Sequence, residues 1–146
     1  MKKIDKTERF VIKIIKEIKN KVDNILFKNT VIEYNISISH LSKTIITIYP
    51  YQEKNCEEGL EFSDESKIYS GYSSVGAIGI EYNLKGELKS IQIDFNFFKK
   101  DGLTDFIPKI IKINSVIDKI SKIIKKAYDK NIIEFKKNNP NINLLI

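Results

Sequence analysis

The stretch Leu88–Phe97 (LKSIQIDFNF) alternates apolar and polar side chains from Ser90 to its end. Its apolar members are Ile91, Ile93, Phe95 and Phe97. A period of two places these side chains on one side of an extended chain and the polar ones on the other side. The stretch therefore predicts a β-strand with one buried face and one face in water, and such a strand requires a sheet around it.

Four further stretches have the composition or the period of strands. They cover residues 32–39, 44–51, 67–72 and 75–83. The connections at 40–43 and 84–87 are short enough for hairpins, which join antiparallel strands. Together with the first stretch, these segments predict a five-stranded, mostly antiparallel sheet.

Two other segments place apolar side chains at three- and four-residue steps, which indicates amphipathic helices. They are residues 7–27 and 104–135. In the second helix we expect Pro108 in the first turn, where its missing N–H would have no partner in any case. Pro140 is expected to stop this helix.

The order of elements is helix, five strands, helix, and their short connections indicate one compact unit. Each amphipathic helix needs an apolar surface to cover, and one face of the sheet offers it. The sequence therefore predicts an α+β fold with both helices packed on one sheet face. We expect residues 1–146 to form a single domain, with 139–146 as a loosely ordered tail.

The composition is unusual, with 29 Ile, 24 Lys and 13 Asn but a single arginine, Arg9. This skew is typical of an AT-rich bacterial genome. Because such a codon bias raises Lys at the expense of Arg, the net charge of +6 is weak evidence for nucleic-acid binding. Sequence-specific readers of DNA rely on the planar arginine fork, so one arginine argues against that function.

The charges are unevenly distributed along the chain. Residues 1–28 carry nine basic and four acidic groups, residues 29–98 carry five and ten, and residues 99–146 carry eleven and five. Basic ends therefore flank an acidic middle. No uninterrupted apolar stretch reaches the length of a membrane span or of an export signal, so neither is expected.

Residues that could carry chemistry are few. His40 is the only histidine and lies in a predicted turn, and Cys56 is the only cysteine and is followed by Glu57 and Glu58, which disfavour its thiolate. Residues 71–76 have the glycine spacing of a phosphate loop but lack the lysine that should follow. We therefore expect no enzyme activity, no metal and no cofactor. The lone cysteine suggests a reducing, cytoplasmic location.

The remaining candidate is an acidic surface, formed by the water-facing side of the sheet and the acidic segment that follows the second strand. Its predicted partner-binding residues are Glu33, Glu53, Glu57, Glu58, Glu61, Asp64, Glu65, Glu81 and Asp94. An anionic surface can attract a basic protein partner. The sequence thus favours a non-enzymatic binding protein of the immunity or antitoxin kind, which neutralises a bacterial toxin by covering its cationic active site.

Two alternatives remain at this point. The lysine-rich helix faces could bind nucleic acid without sequence preference. The helix–sheet–helix plan is also similar to that of secretion chaperones, but these are typically acidic homodimers, and the basic ends of this chain count against them. The sequence does not determine the oligomeric state.

Overall fold

The computed structural model describes residues 6–26, 30–37, 39–50, 68–70, 78–93 and 102–141. These form two helices and five strands in the order α1, β1 to β5, α2. The bounds are α1 Lys6–Ile25, β1 Val31–Asn35, β2 Ile45–Tyr49, β3 Ile68–Ser70, β4 Ile78–Asn83, β5 Leu88–Ile93 and α2 Gly102–Asn138. A short 3₁₀ turn, Leu41–Lys43, lies between β1 and β2.

The strands β1, β2, β4 and β5 are neighbours in that order, and each adjacent pair is antiparallel. The short β3 pairs with β1 in parallel, with Ile68 beside Ile32. An N-terminal helix, an antiparallel sheet and a long C-terminal helix make the α+β class, as predicted. The two expected hairpins, β1–β2 and β4–β5, are also confirmed.

β1 is shorter than the alternation of residues 32–39 predicts, and it ends at Asn35. The backbone N–H of Ser37 donates to the hydroxyl oxygen of Thr44, 3.1 Å away, instead of continuing the ladder with β2. A side-chain acceptor therefore ends the strand pairing before the apolar alternation ends. In β5 the structure describes the strand to Ile93, and residues 94–97 lie outside the described part of the chain.

α2 begins earlier than expected, at Gly102, so the expected place of Pro108 in the first turn is wrong. Pro108 lies in the second turn, where it removes one backbone hydrogen bond of the helix. The 37-residue helix continues through it, because the apolar stripe that follows is buried along the core. The helix ends at Asn138, two residues before Pro140 as predicted.

One face of the sheet lies in the main hydrophobic cluster. Tyr34, Ile46 and Tyr82 stand side by side across β1, β2 and β4, and all three are buried. The hydroxyl of Tyr34 donates to the Glu8 carboxylate of α1 at 2.8 Å, and that of Tyr82 donates to the Ile117 carbonyl of α2 at 2.9 Å. The buried members from α1 are Phe10, Val11, Ile14, Ile15, Ile18 and Val22, with Leu26 directly after the helix, and those from α2 include Ile113, Ile120, Ile124 and Tyr128.

The two helices contact each other directly. The ring of Phe10 in α1 lies 4.5 Å from that of Phe135 and 6.2 Å from that of Tyr128, both in α2. At its end, α1 is tied to β1 by Asp23, whose carboxylate accepts hydrogen bonds from the backbone and the hydroxyl of Thr30. Neither described helix has an apolar stretch of the length needed to cross a membrane.

Candidate functional site

Two of the nine predicted partner-binding carboxylates lie in the described sheet. Glu33 in β1 and Glu81 in β4 both stand opposite Thr47 in β2, so the register places the three side chains in one row on one face. The expected shared face is therefore correct. Its expected exposure is not, because Glu33 is only 7% exposed and Glu81 is half-buried.

The same face is closed further along the strands. Val31 is fully buried and Tyr49, its partner across β1 and β2, is 7% exposed. A Cβ placed on Gly79 would stand 3.0 Å from the Tyr49 ring and 3.3 Å from the Thr47 methyl carbon. The missing side chain at Gly79 thus leaves room for Tyr49, and this end of the face is packed rather than wet.

The other end of this face is more open. Asn35 is exposed and Ile45, opposite it in β2, is half-buried. The remaining predicted partner-binding residues, Glu53, Glu57, Glu58, Glu61, Asp64, Glu65 and Asp94, lie outside the described residues. The acidic segment that carries six of them connects Tyr49 to Ile68, which lie at the same end of the sheet on either side of β1.

The residues considered for catalysis do not come together in the described part of the chain. His40 is half-buried directly before the 3₁₀ turn, and its side chain caps no backbone group there. Cys56 and the glycine-spaced stretch 71–76 lie outside the described residues. Among the residues described, no three of His, Cys, Asp or Glu are grouped as metal ligands would be.

The outer faces of both helices are rich in lysine. α1 and α2 together carry fifteen basic and seven acidic side chains. The exposed basic residues on them include Lys6, Arg9, Lys13, Lys16, Lys21, Lys112, Lys119, Lys122, Lys125, Lys126, Lys130, Lys136 and Lys137. These positions surround the apolar stripes, as the amphipathic pattern predicts.

A polar link crosses between the helices on this basic side. The carboxylate of Glu17 in α1 accepts hydrogen bonds from the Asn131 amide at 2.7 Å and from the Lys130 ammonium at 3.1 Å, both in α2. The Asn131 bond, followed by the Lys130 bond, lowers the pKa of Glu17 below its usual 4.5. Lys13 and Glu134 add a weaker exposed pair at 3.9 Å.

A groove of about 390 Å³ opens beside this link, between the start of α1 and the end of α2. We call it the helix groove. Phe10 and Phe135 form its apolar floor, and Lys6, Arg9 and Lys13 lie along the α1 side. It combines aromatic surface with three cations, and Glu134 partly offsets their charge.

A second cleft, of about 400 Å³, lies between α2 and the turn that joins β4 to β5. We call it the turn cleft. Asn83 shapes this turn, because its side-chain oxygen accepts hydrogen bonds from the backbone N–H groups of Lys85 and Glu87. Gly86 has a φ of +91° and its carbonyl accepts a hydrogen bond from the Ser121 hydroxyl, which fastens the turn to α2.

The wall of the turn cleft contains an unusual tyrosine. Tyr128 is 4% exposed, and its hydroxyl has no hydrogen-bond partner among the described residues. Burial, followed by the nearby Asp129 carboxylate, raises the pKa of Tyr128 to about 12. The hydroxyl is therefore a protonated donor at neutral pH. Three lysines, Lys85, Lys125 and Lys136, line the same cleft.

Sequence reasoning missed the turn cleft. Tyr128 belongs to the apolar stripe of α2 and is predicted only as a core residue, and 84–87 is predicted only as a hairpin connection. A tyrosine within such a stripe indicates a polar partner near its ring, because a buried hydroxyl usually needs a hydrogen-bond partner. Which cleft it lines depends on the docking of the turn on α2, about 35 residues away in sequence.

Comparison of the chain with protein-family models, with curated proteins and with solved structures found no match. The functional argument therefore rests on the charges, contacts and clefts described above.

Proposed function

We propose that the protein is a non-enzymatic binding module that recognises a basic protein partner, as a bacterial immunity or antitoxin protein covers the cationic active site of a toxin. Its place of action is the cytoplasm. The partner-facing surface is the acidic part of the chain between the two helices, with Glu81 as its member in the described sheet.

The observation that carries this proposal is the separation of charge between the elements of the fold. The helices hold fifteen basic and seven acidic groups, whereas residues 29–98, which contain all five strands, hold five and ten. A molecule with this polarity attracts a cationic partner to one side and repels it from the other. Such complementarity raises the association rate and fixes the orientation of the partner.

Both helices cover the same sheet face in this proposal, which leaves the Glu33–Thr47–Glu81 side away from them. Support comes from the two tyrosines of the opposite face: Tyr34 bonds to α1 and Tyr82 bonds to α2, and both stand beside Ile46. Side chains that neighbour each other across strands point to one side of a sheet. In this proposal the lysine-rich helices and the Glu33–Thr47–Glu81 row therefore lie on opposite sides of the sheet.

The burial of Glu33 removes this residue from the proposed contact surface. A side chain that is 7% exposed offers little to a partner, so its role is within the fold. Glu81 is half-buried, and the carboxylates at 53–65 are attached at the Tyr49–Ile68 end of the sheet. We therefore expect the acidic contact to come from Glu81 and from the carboxylates of residues 53–65, and not from Glu33.

The test is co-expression with the product of the adjacent gene. Expression of that product alone should stop growth, and the wild-type protein should restore it. A variant with Glu57→Lys, Glu58→Lys and Glu61→Lys should lose the rescue. The matched control reverses three exposed charges on α2, Lys119→Glu, Lys122→Glu and Lys126→Glu, and should keep it.

The acidic-surface proposal would be contradicted if the Glu57→Lys, Glu58→Lys, Glu61→Lys variant still rescued growth and the control variant on α2 did not. A neighbouring product that is harmless when expressed alone would also contradict it as stated. Circular dichroism of each purified variant verifies that loss of rescue does not come from loss of folding.

A second candidate function, non-specific nucleic-acid binding, is favoured by the exposed lysines on α1 and α2. Its signature is salt dependence: affinity for duplex DNA should fall by orders of magnitude between 50 and 200 mM salt if six or more phosphates are contacted. Fluorescence anisotropy with a 20-base-pair duplex measures this. Tight, salt-dependent DNA binding that is abolished by Lys119→Glu, Lys122→Glu and Lys126→Glu together would favour this function over toxin inhibition.

A secretion chaperone is the other alternative. A homodimer in analytical sedimentation would favour it.

A further inference from the structure

The turn cleft is independent of the acidic surface and suggests a second kind of binding. It lies between the β4–β5 turn and α2, and α2 is a helix that the proposed partner contact does not use. Its volume of about 400 Å³ is within the range of small-molecule sites. Its wall combines apolar surface from Tyr128 and Ile132 with charged side chains at the rim.

The strongest indication of a ligand is the Tyr128 hydroxyl. Buried hydroxyl groups almost always have a partner, since burial removes the water that would otherwise bind them. This hydroxyl is buried in a residue that is 4% exposed, and no described residue accepts its proton. The hydroxyl is therefore a donor that no described residue uses, and a bound ligand with an acceptor group would satisfy it.

The charged groups at the rim indicate what kind of acceptor fits. Lys85, Lys125 and Lys136 form no salt bridge with any described carboxylate. The two acidic residues of the cleft are Glu87, whose carboxylate accepts a hydrogen bond from the Asn83 amide, and the exposed Asp129. The cations therefore exceed the anions, and every lysine offers donors only.

We propose that the turn cleft binds a small organic molecule through an oxyanion group, a phosphate or a carboxylate. The oxyanion accepts the hydrogen bond of the Tyr128 hydroxyl and pairs with the Lys125 ammonium, while its apolar part lies against Ile132. The lysine chains at the rim are long and rotate to admit it, which the exposed positions of Lys125 and Lys136 allow.

The cleft has a rigid base for this purpose. Gly86 lies so close to α2 that an added Cβ would stand 2.4 Å from the Ser121 carbonyl oxygen. The Ser121 hydroxyl donates back to the Gly86 carbonyl, so the turn and the helix hold each other in position. The base of the cleft is therefore fixed before binding, while the rim side chains move to expose the buried Tyr128 hydroxyl.

The experiment titrates the full chain with phenyl phosphate and, separately, with phenylacetate. A control titration uses sodium chloride at the same ionic strength. The two probes distinguish a phosphate from a carboxylate ligand. Amide ¹H–¹⁵N spectra should show saturable shifts at Gly86, Ser121 and Lys125 with at least one probe. Lys125→Met should weaken that binding by about tenfold, as expected for a charge-assisted hydrogen bond. Lys122→Met, which changes an exposed lysine outside the cleft, should leave it unchanged.

Tyr128→Phe provides a second test, in which thermal stability and probe affinity should change in opposite directions. The substitution keeps the ring and removes only the unpartnered hydroxyl, so it should raise the thermal midpoint of the free protein or leave it equal, yet weaken the probe. Three results would each overturn the proposal. The first is spectral shifts no larger than those caused by sodium chloride, and the second is an equal loss of probe affinity in Lys122→Met and Lys125→Met. The third is a Tyr128→Phe protein that is less stable than the wild type and binds the probe normally. None of these results depends on a toxin partner.

Discussion

The hydroxyl of Tyr82 donates a hydrogen bond to the main-chain carbonyl of Ile117, 2.9 Å away, and so joins the middle of the sheet to α2. Tyr82 is fully buried, and this burial, with a smaller contribution from Asp118, raises its pKa well above the usual value. Tyr128 on α2 is also buried but has no such bond. The two tyrosines therefore form a natural matched pair.

Tyr82→Phe should lower the free energy of unfolding by about 1 kcal/mol, which is the usual net value of one buried hydrogen bond. Tyr128→Phe removes the same atom but no bond, so it should be neutral or stabilising. Urea denaturation of both variants measures the difference. Equal losses in the two proteins would mean that the Tyr82–Ile117 bond contributes nothing specific.

Alkaline pH should destabilise the fold through the same two residues. Their folded-state pKa values are raised, so above pH 10 the unfolded chain releases phenolic protons that the folded chain keeps. The stabilisation is thus complete below pH 10 and is lost as the pH rises towards 12. Phenolate absorbance at 295 nm, followed between pH 9 and 12, should show at least two tyrosines that ionise only on unfolding. Tyr82→Phe should reduce their number by one.

Gly86→Ala should destabilise the protein by at least about 2 kcal/mol, because alanine is strained at a φ of +91° and its methyl group would collide with the Ser121 carbonyl. Gly79→Ala is the control. There the nearest atoms belong to the Tyr49 and Thr47 side chains, which can shift, so its cost should be clearly smaller. Thermal unfolding of the pair compares them, and the reverse order would contradict the docking of the turn on α2.

Asn131→Ala should cost about 1–2 kcal/mol at pH 7, since the Asn131 amide bonds both to Glu17 and to the Ala127 carbonyl. The pKa of Glu17 is lowered in the folded state, so its contribution is present above pH 4.5 and is lost as the pH falls below that value. The deficit of the variant should accordingly shrink between pH 6 and pH 3. Asn114→Ala, at an exposed position of α2, should have no comparable effect at either pH.

Glu33→Lys should lower stability by about 2 kcal/mol or more, because it places a cation at a position that is 7% exposed. Glu81→Lys, in the same row but half-buried, should cost less than half as much. Chemical denaturation measures both. If Glu33→Lys folds as well as Glu81→Lys, the face is open at Glu33 and that residue returns to the candidate partner surface.

The candidate site could be predicted only in part. The alternation of β1 and β4 correctly places Glu33 and Glu81 on one face, because side-chain direction in a strand follows from the period of two. The exposure of that face could not be predicted in the same way. It depends on what packs over Val31, Thr47 and Tyr49, and the pattern of a strand is the same whether its polar side meets water or other parts of the chain.

The sequence by itself determined the local elements: the helical stripes of α1 and α2, the strands, the hairpin turn at 84–87 and the end of α2 before Pro140. These follow from rules that act over a few residues, namely side-chain periodicity, turn chemistry and the missing N–H of proline. Only the tertiary structure decided that β3 pairs in parallel with β1, that Glu33 is buried, and that Gly86 and Ser121 hold a cleft beside Tyr128. Each of these brings together residues distant in the chain, and such contacts depend on packing and loop closure rather than on the local pattern.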